Sequence, residues 1–306
     1  MSGGKRELLD ENGDSRGFYS ESNTVNDLTG REWVFWTRSV ITKPYPPDMQ
    51  HALRSQHGGQ KPPALCADLI RVFTKSEDSI LDPFMGVGGV LLGASLCGRR
   101  ATGVETDRRW IETYREVCTR EGLEPQEAVL GDAATALEAM RGRLFDCVFT
   151  DVPYWKMDKA VRSKGTYKRV GESAKPVRAS KLSAFASVEY ASKADWQSHM
   201  AEVFTLSAGL LKERGYLLSF IGDMYRDNRY HCLSAELAQV IAAIPGMVWK
   251  ANIVWYDVSK KLHLYGYQYS YIPSMIHQNI LVFRKEGNQV AMESAGAHGP
   301  AGKENG

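Results

Sequence analysis

Apolar residues recur along this chain at two spacings, and the switches between them mark out short buried strands alternating with amphipathic helices. In 63–74, Leu65, Leu69, Ile70 and Phe73 fall at helical spacing, and Ser79-Ile80-Leu81 then reads as a buried strand that stops at Asp82-Pro83. A tight turn through Gly86-Val87-Gly88-Gly89 leads into a helix over 90–97, ended by Gly98. Residues 101–104 read as a second strand closed by Glu105, 108–121 as a helix stopped at Gly122, and Val129-Leu130 as the end of a third strand before Gly131-Asp132. The apolar run 145–149 predicts a fourth strand that terminates in Thr150-Asp151-Val152-Pro153-Tyr154. Beyond it the pattern predicts helices over 196–212 and 234–244 and strands over 215–221, 248–255 and 278–283. Such alternation predicts an α/β fold, a doubly wound and mostly parallel sheet whose ligands lie beyond the carboxyl ends of the strands.

Residues 1–25 and 286–306 are polar and aperiodic and read as tails without regular structure, leaving one folded body over 26–285 with a basic insertion at 156–195. With 306 residues and 43% hydrophobic content the chain can bury a substantial core, which excludes a disordered polymer. The formal charge of +2 neither requires nor forbids a nucleic-acid partner. Cys66, Cys97, Cys118, Cys147 and Cys232 are scattered without paired spacing and read as structural thiols. His57, His263 and His277 lack metal-ligand spacing with them, so no metal is expected. Neither a leader-like segment nor a long apolar run is evident, so the expectation is a cytoplasmic protein without membrane association.

Two strand ends carry chemistry. The first is the turn at 82–88, with Glu105 19 residues beyond Gly86. A glycine turn lets backbone approach a ligand, and an acid at the next strand tip can bond ribose hydroxyls; the same residues also suit an ordinary strand-to-helix turn. Asp132 ends the third strand, where it can accept from an adenine amino group, and Leu91 stands where a dinucleotide loop has its last glycine. That combination favours S-adenosylmethionine over a dinucleotide.

The second is Asp151-Val152-Pro153-Tyr154. An exocyclic amine on a base is a weak nucleophile because its lone pair is delocalised into the ring. Two acceptors on its N–H groups localise that pair, and the Asp151 carboxylate and Val152 carbonyl are candidates, with Pro153 stiffening the turn and Tyr154 offering a stacking face. A strand-end turn with a surface tyrosine is the structural alternative.

The runs LDPFMGVGG (81–89), GVETD (103–107) and TDVPYW (150–155) resemble the cofactor loop, ribose acid and catalytic motif of the DNA amino-methyltransferases, the adenine-N6 and cytosine-N4 enzymes. HGGQKPPAL (57–65) resembles that family's segment beside the methionine end of the cofactor. The likeness spans about 54–284 and implies a Rossmann-like class I methyltransferase. It implies cofactor contacts from His57, Lys61, Pro62, Asp82, Phe84, Gly86, Gly88, Glu105 and Asp132, and catalysis by Asp151, Val152, Pro153 and Tyr154. The family usually has Thr or Ser where Gly89 stands and Pro where Val152 stands; the second position acts through its carbonyl, which valine also supplies. An aspartate at 151 fits adenine, as family members acting on cytosine more often carry serine there.

Residues 156–181 hold nine Lys or Arg against two acids, a local +7. Of these, Lys156, Lys159, Arg162, Lys164, Lys168 and Arg169 are candidates for phosphate contacts, the alternative being a solvated insertion. The stretch Trp255 to His277, with Tyr265, Tyr267, Tyr269 and Tyr271, alternates as a strand would and could wall a base pocket or form core. No cysteine accompanies the 150–155 turn, which argues against attack through a thiolate adduct. The expectation is a DNA adenine-N6 methyltransferase of the kind found in restriction–modification pairs. The alternatives are a cytosine-N4 enzyme, an RNA base amino-methyltransferase or a silent nucleic-acid-binding subunit, and the partner is DNA, with room for a homodimer.

Overall fold

The structure, a computed structural model, describes residues 4–10, 12–155, 190–258, 260, 262 and 269–287. Four parallel strands form one half of its main sheet: β4 (Ser79–Asp82), β5 (Arg100–Glu105), β6 (Glu127–Leu130) and β7 (Phe145–Asp151). With β3 (Val40–Ile41), β8 (Leu211–Ile221), β11 (Met247–Tyr256) and β12 (His277–Lys285) they make an eight-stranded sheet in the order β3-β11-β12-β8-β7-β4-β5-β6. Only β12 runs antiparallel to its neighbours within this sheet. From β4 the chain winds outward through β5 to β6, and from β7 it winds the other way, so the order reverses between β4 and β7. A crevice opens at such a switch point, outside the carboxyl ends of the strands.

Both faces of the sheet are covered, which is why its central strands read as apolar runs rather than alternating ones. One face buries Leu81, Val148, Leu217 and Leu281 beneath α6 (Ala133–Ala139), α7 (Lys193–Leu210) and α8 (Leu233–Ala242). The other buries Ile80, Phe149, Phe220 and Ile280 beneath α3 (Pro63–Phe73), α4 (Gly89–Leu96) and α5 (Arg108–Glu121). In α5 the buried Trp110, Ile111, Tyr114, Val117 and Cys118 form one helical stripe, Asp107 caps the start by accepting from the Arg109 amide at 2.9 Å, and Gly122 ends it.

Three expectations are corrected. Residues 1–25 are not a featureless tail: β1 (Lys5–Leu9) and β2 (Ser15–Ser20) pair as a hairpin, followed by α1 (Gly30–Trp36) with a Thr29/Glu32 capping box. Long-range bonds fasten this segment, since the Asn26 side chain donates to the Val72 carbonyl at 2.6 Å and Asp27 accepts from the Ser76 amide at 2.6 Å. The helix expected over 196–212 is Lys193–Leu210, because Leu211 pairs with Phe145 and draws the chain into the sheet two residues earlier. Tyr269 and Tyr271 are in no strand and are over 90% exposed. The basic insertion up to residue 189, with Lys156, Lys159, Arg162, Lys164, Lys168 and Arg169, lies outside the described residues, as do Tyr265, Tyr267 and the segment from 288 on.

Among the described residues no helix is long and apolar enough to cross a membrane, and no group of three His, Cys, Asp or Glu could hold a metal ion.

Candidate functional site

A cavity lies at the carboxyl ends of β4, β5, β6 and β7. Of the residues singled out in the sequence, His57, Phe84, Gly86, Glu105, Asp132, Asp151 and Pro153 line it. Trp110 and His199 also line it, and nothing in the motifs pointed to them. Trp110 sits in the first turn of α5, five residues past Glu105, where the helix leaves the strand tip. His199 comes from α7; its Nδ1 is 2.7 Å from the Tyr190 hydroxyl and its ring stands edge-on to Phe84 at 6.2 Å.

The glycine turn is shaped by what packs on it. Gly86 is left-handed at φ +51°, and a Cβ there would lie 2.8 Å from His57 Cε1. The segment carrying His57 is therefore seated on the cofactor-type turn, with the imidazole edge-on to Trp110 at 4.8 Å. Burial, reinforced by Lys61 and Arg109, lowers the His57 pKa to about 4, so the ring is neutral near pH 7. Gly88 answers to a different neighbour: at φ +73° its Cβ would lie 2.3 Å from the Tyr114 ring, so it serves helix packing and is not among the lining residues.

Three carboxylates end three adjacent strands. Glu105 accepts from the Asp107 amide at 2.8 Å; burial raises its pKa, opposed by the Asp107, Thr106 and Gly86 amides. Asp132 uses Oδ1 to cap α6, accepting from the Thr135 amide at 3.0 Å, and lines the cavity at the same time. Asp82 lies beneath the floor, 2% exposed, accepting from the Thr150 hydroxyl at 2.6 Å and the Phe84 amide at 3.1 Å. Burial pushes the Asp82 pKa up to about 7, with Asp151 and Glu105 adding to the rise.

The turn after β7 is tied down on several sides. The Pro153 carbonyl accepts from Trp196 Nε1 at 2.8 Å, and the Val152 side chain is buried. The Tyr154 hydroxyl is 3.5 Å from Asp151 Oδ1 and accepts from Gln278 Nε2 at 3.1 Å, while a Cβ at Gly222 would meet the Tyr154 ring at 3.1 Å. Lys61 is buried and forms an ion pair with Asp151 Oδ2. Lys61 and Pro62 line a second cavity, with His51, Gln60 and Trp255, rather than the first.

A glycine turn under an imidazole, acids at successive strand tips and a constrained Asp-x-Pro-Tyr turn thus meet around one cavity. Residues 11–116 match the model of a DNA methylase family. The chain is 32% identical over 93 residues to a tRNA (guanine(10)-N2)-dimethyltransferase of Pyrococcus abyssi, a match covering 30% of this chain and 28% of that protein. It is 32% identical over 81 residues to the type II methyltransferase M2.DpnII of Streptococcus pneumoniae, covering 26% of this chain and 28% of that one. The matches thus span little more than a quarter of these relatives' length. Among solved structures, TrmN from Thermus thermophilus aligns with a TM-score of 0.48 at 15% identity, over 76% of this chain and 52% of that one.

Proposed function

We propose that the chain transfers the methyl group of S-adenosylmethionine to the exocyclic amino group of a base in DNA, adenine N6 being the target. The observation that carries this reading is Asp151: its carboxylate lines the same cavity as Glu105 and Asp132, so an amine held against Asp151 is also held against the methyl donor. Glu105 would bond the ribose hydroxyls of the cofactor, Asp132 would face its adenine end, and Phe84 and Trp110 supply apolar wall. The bound cofactor supplies an electrophilic methyl on a sulfonium. The chain's own work is to draw the two amine N–H groups onto the Asp151 carboxylate and the Val152 carbonyl, localising the lone pair on nitrogen, and to stack the base on Tyr154. The Trp196 bond to Pro153 holds the turn in place for this. The basic residues 156–169 would contact phosphates around the displaced nucleotide.

A second reading, methylation of guanine N2 in tRNA, is favoured by the match to the Pyrococcus abyssi enzyme. One assay tests both: transfer of labelled methyl to DNA and to tRNA, followed by digestion to nucleosides and identification of the product by mass. N6-methyladenine in DNA supports the proposal, N2-methylguanine in tRNA replaces it with the second reading, and methyl transfer to neither overturns both.

A further inference from the structure

Building on that reading, we propose that Lys61 is the positioning residue of Asp151: its ammonium keeps the carboxylate ionised and fixes which of its oxygens meets the target amine, instead of holding the cofactor. Lys61 Nζ is bound to Asp151 Oδ2 from a position 90 residues earlier in the chain, with side chains only 7% and 17% exposed. An exposed pair of this kind would do little, but removing one partner of a buried pair leaves a charge without compensation.

The lysine is held from behind. Its carbonyl accepts from the buried Arg54 Nη1 at 3.1 Å, and its ammonium lies 5.2 Å from the centre of the Phe220 ring. Asp151 lines the cofactor-type cavity and Lys61 the second one, so the pair stands between the two. A cofactor contact would need the ammonium on the first side.

The groups that face Asp151 define the electrostatics. Lys61 and the Tyr154 hydroxyl touch it, Lys260 acts from further off, and Asp82 is a like charge nearby. Burial raises the Asp151 pKa and Lys61 is the first group opposing that rise. The point matters because a protonated carboxyl donates a hydrogen bond through one oxygen and cannot draw an N–H group there. With Oδ2 taken by Lys61 and Oδ1 at the 3.5 Å limit from the Tyr154 hydroxyl, Oδ1 is the weakly held oxygen and the one left for the amine.

The test uses the full chain with Lys61→Met, which removes the charge, Lys61→Arg, which restores it, and Lys61→Gln should the methionine variant not fold. Three quantities are read: single-turnover methyl transfer against pH, S-adenosylmethionine affinity by calorimetry, and a carbon-13 titration of the Asp151 carboxyl, assigned with Asp151→Asn. Loss of the ammonium should move the acid limb of the rate profile and the Asp151 titration up by about one pH unit or more, lowering the rate most on the acid side with recovery as the pH rises. The arginine variant should return both to within about threefold of wild type, and cofactor affinity should change by less than about threefold in all variants. An unmoved titration, or a loss of cofactor affinity as large as the loss of rate, overturns the proposal. If the wild-type chain methylates no nucleic acid, the functional reading fails, and the titration still decides whether Lys61 controls Asp151.

Discussion

The two sides of the site are built differently. On the side proposed for the cofactor, bonds close over a few residues: Asp107 onto Glu105, Phe84 onto Asp82, Thr135 onto Asp132. On the side proposed for the base they close over long loops: Lys61 to Asp151 across 90 residues, Gln278 to Tyr154 across 124, Trp196 to Pro153 across 43. Short-range bonds come with the strand end itself, so these bonds are properties of their βα turns, while Asp82 is also bonded by Thr150, 68 residues on. The base side exists only once β7, β12, α7 and the 57–62 segment have packed. Changes on the base side should therefore cost rate with binding intact, and changes on the cofactor side should cost binding or stability.

The sharpest break between the two sides is Asp151→Ala. Methyl transfer should fall at least a hundredfold, about 2.7 kcal/mol of barrier, because among the described residues no other carboxylate sits at that turn to accept the amine. Cofactor affinity should stay near wild type. A variant retaining more than about a tenth of the wild-type rate in single-turnover assays would remove Asp151 from the chemistry.

Next in size is Gly88→Ala, which probes the cofactor turn as a packing element. The added Cβ would fall 2.3 Å from the Tyr114 ring at a φ of +73°, combining a clash with backbone strain. A loss of roughly 2–4 kcal/mol in urea unfolding is expected. A loss under about 0.5 kcal/mol would mean that Tyr114 yields freely and that the turn is not fixed by α5.

Much of this was legible beforehand, for the same reason that the cofactor side is local. Helix 108–121 was bounded by Asp107 and Gly122, and the strand ends at Asp82, Glu105 and Asp151 were marked by acids closing apolar runs. What could not be read is what depends on distant partners. The β1–β2 hairpin has little apolar content of its own and is fastened by Asn26 and Asp27 to residues 46 and 49 positions away. The pairing of Lys61 with Asp151, 90 residues further along the chain, has no local signal and comes only with the fold. His199 had no signal at all. The β9 (Met224–Arg226) and β10 (Arg229–His231) hairpin did have one, Asp227-Asn228, both left-handed as a tight hairpin turn requires.

Glu105→Ala sharpens the comparison from the cofactor side. Loss of the strand-tip carboxylate should weaken S-adenosylmethionine binding by about 1–3 kcal/mol, the scale for a hydrogen bond to a charged group. Thermal stability should change little, since the carboxylate accepts from the neighbouring Asp107 amide and Thr106 hydroxyl. Unchanged affinity by calorimetry in a folded variant would sink the ribose assignment.

Asp82→Asn has the smallest expected effect and runs in the opposite direction, toward greater stability. Asp82 has a pKa near 7 in the folded chain against an ordinary value of 3.8. Below pH 4 it is protonated in both states and costs nothing. Between pH 4 and pH 7 the unfolded chain binds fewer protons than the folded one, so folding stability falls as pH rises, and above pH 7 the loss is constant. Asparagine removes the titration while its carbonyl can still accept from Thr150 and the Phe84 amide. The variant should therefore be more stable than wild type by about 1–2 kcal/mol at pH 8, with the gain shrinking steadily toward pH 5. Urea unfolding at the two pH values measures the difference. A gain of equal size at both would mean that Asp82 does not titrate in this window, and that the acid under the cavity floor stays ionised, held by Thr150 and the turn.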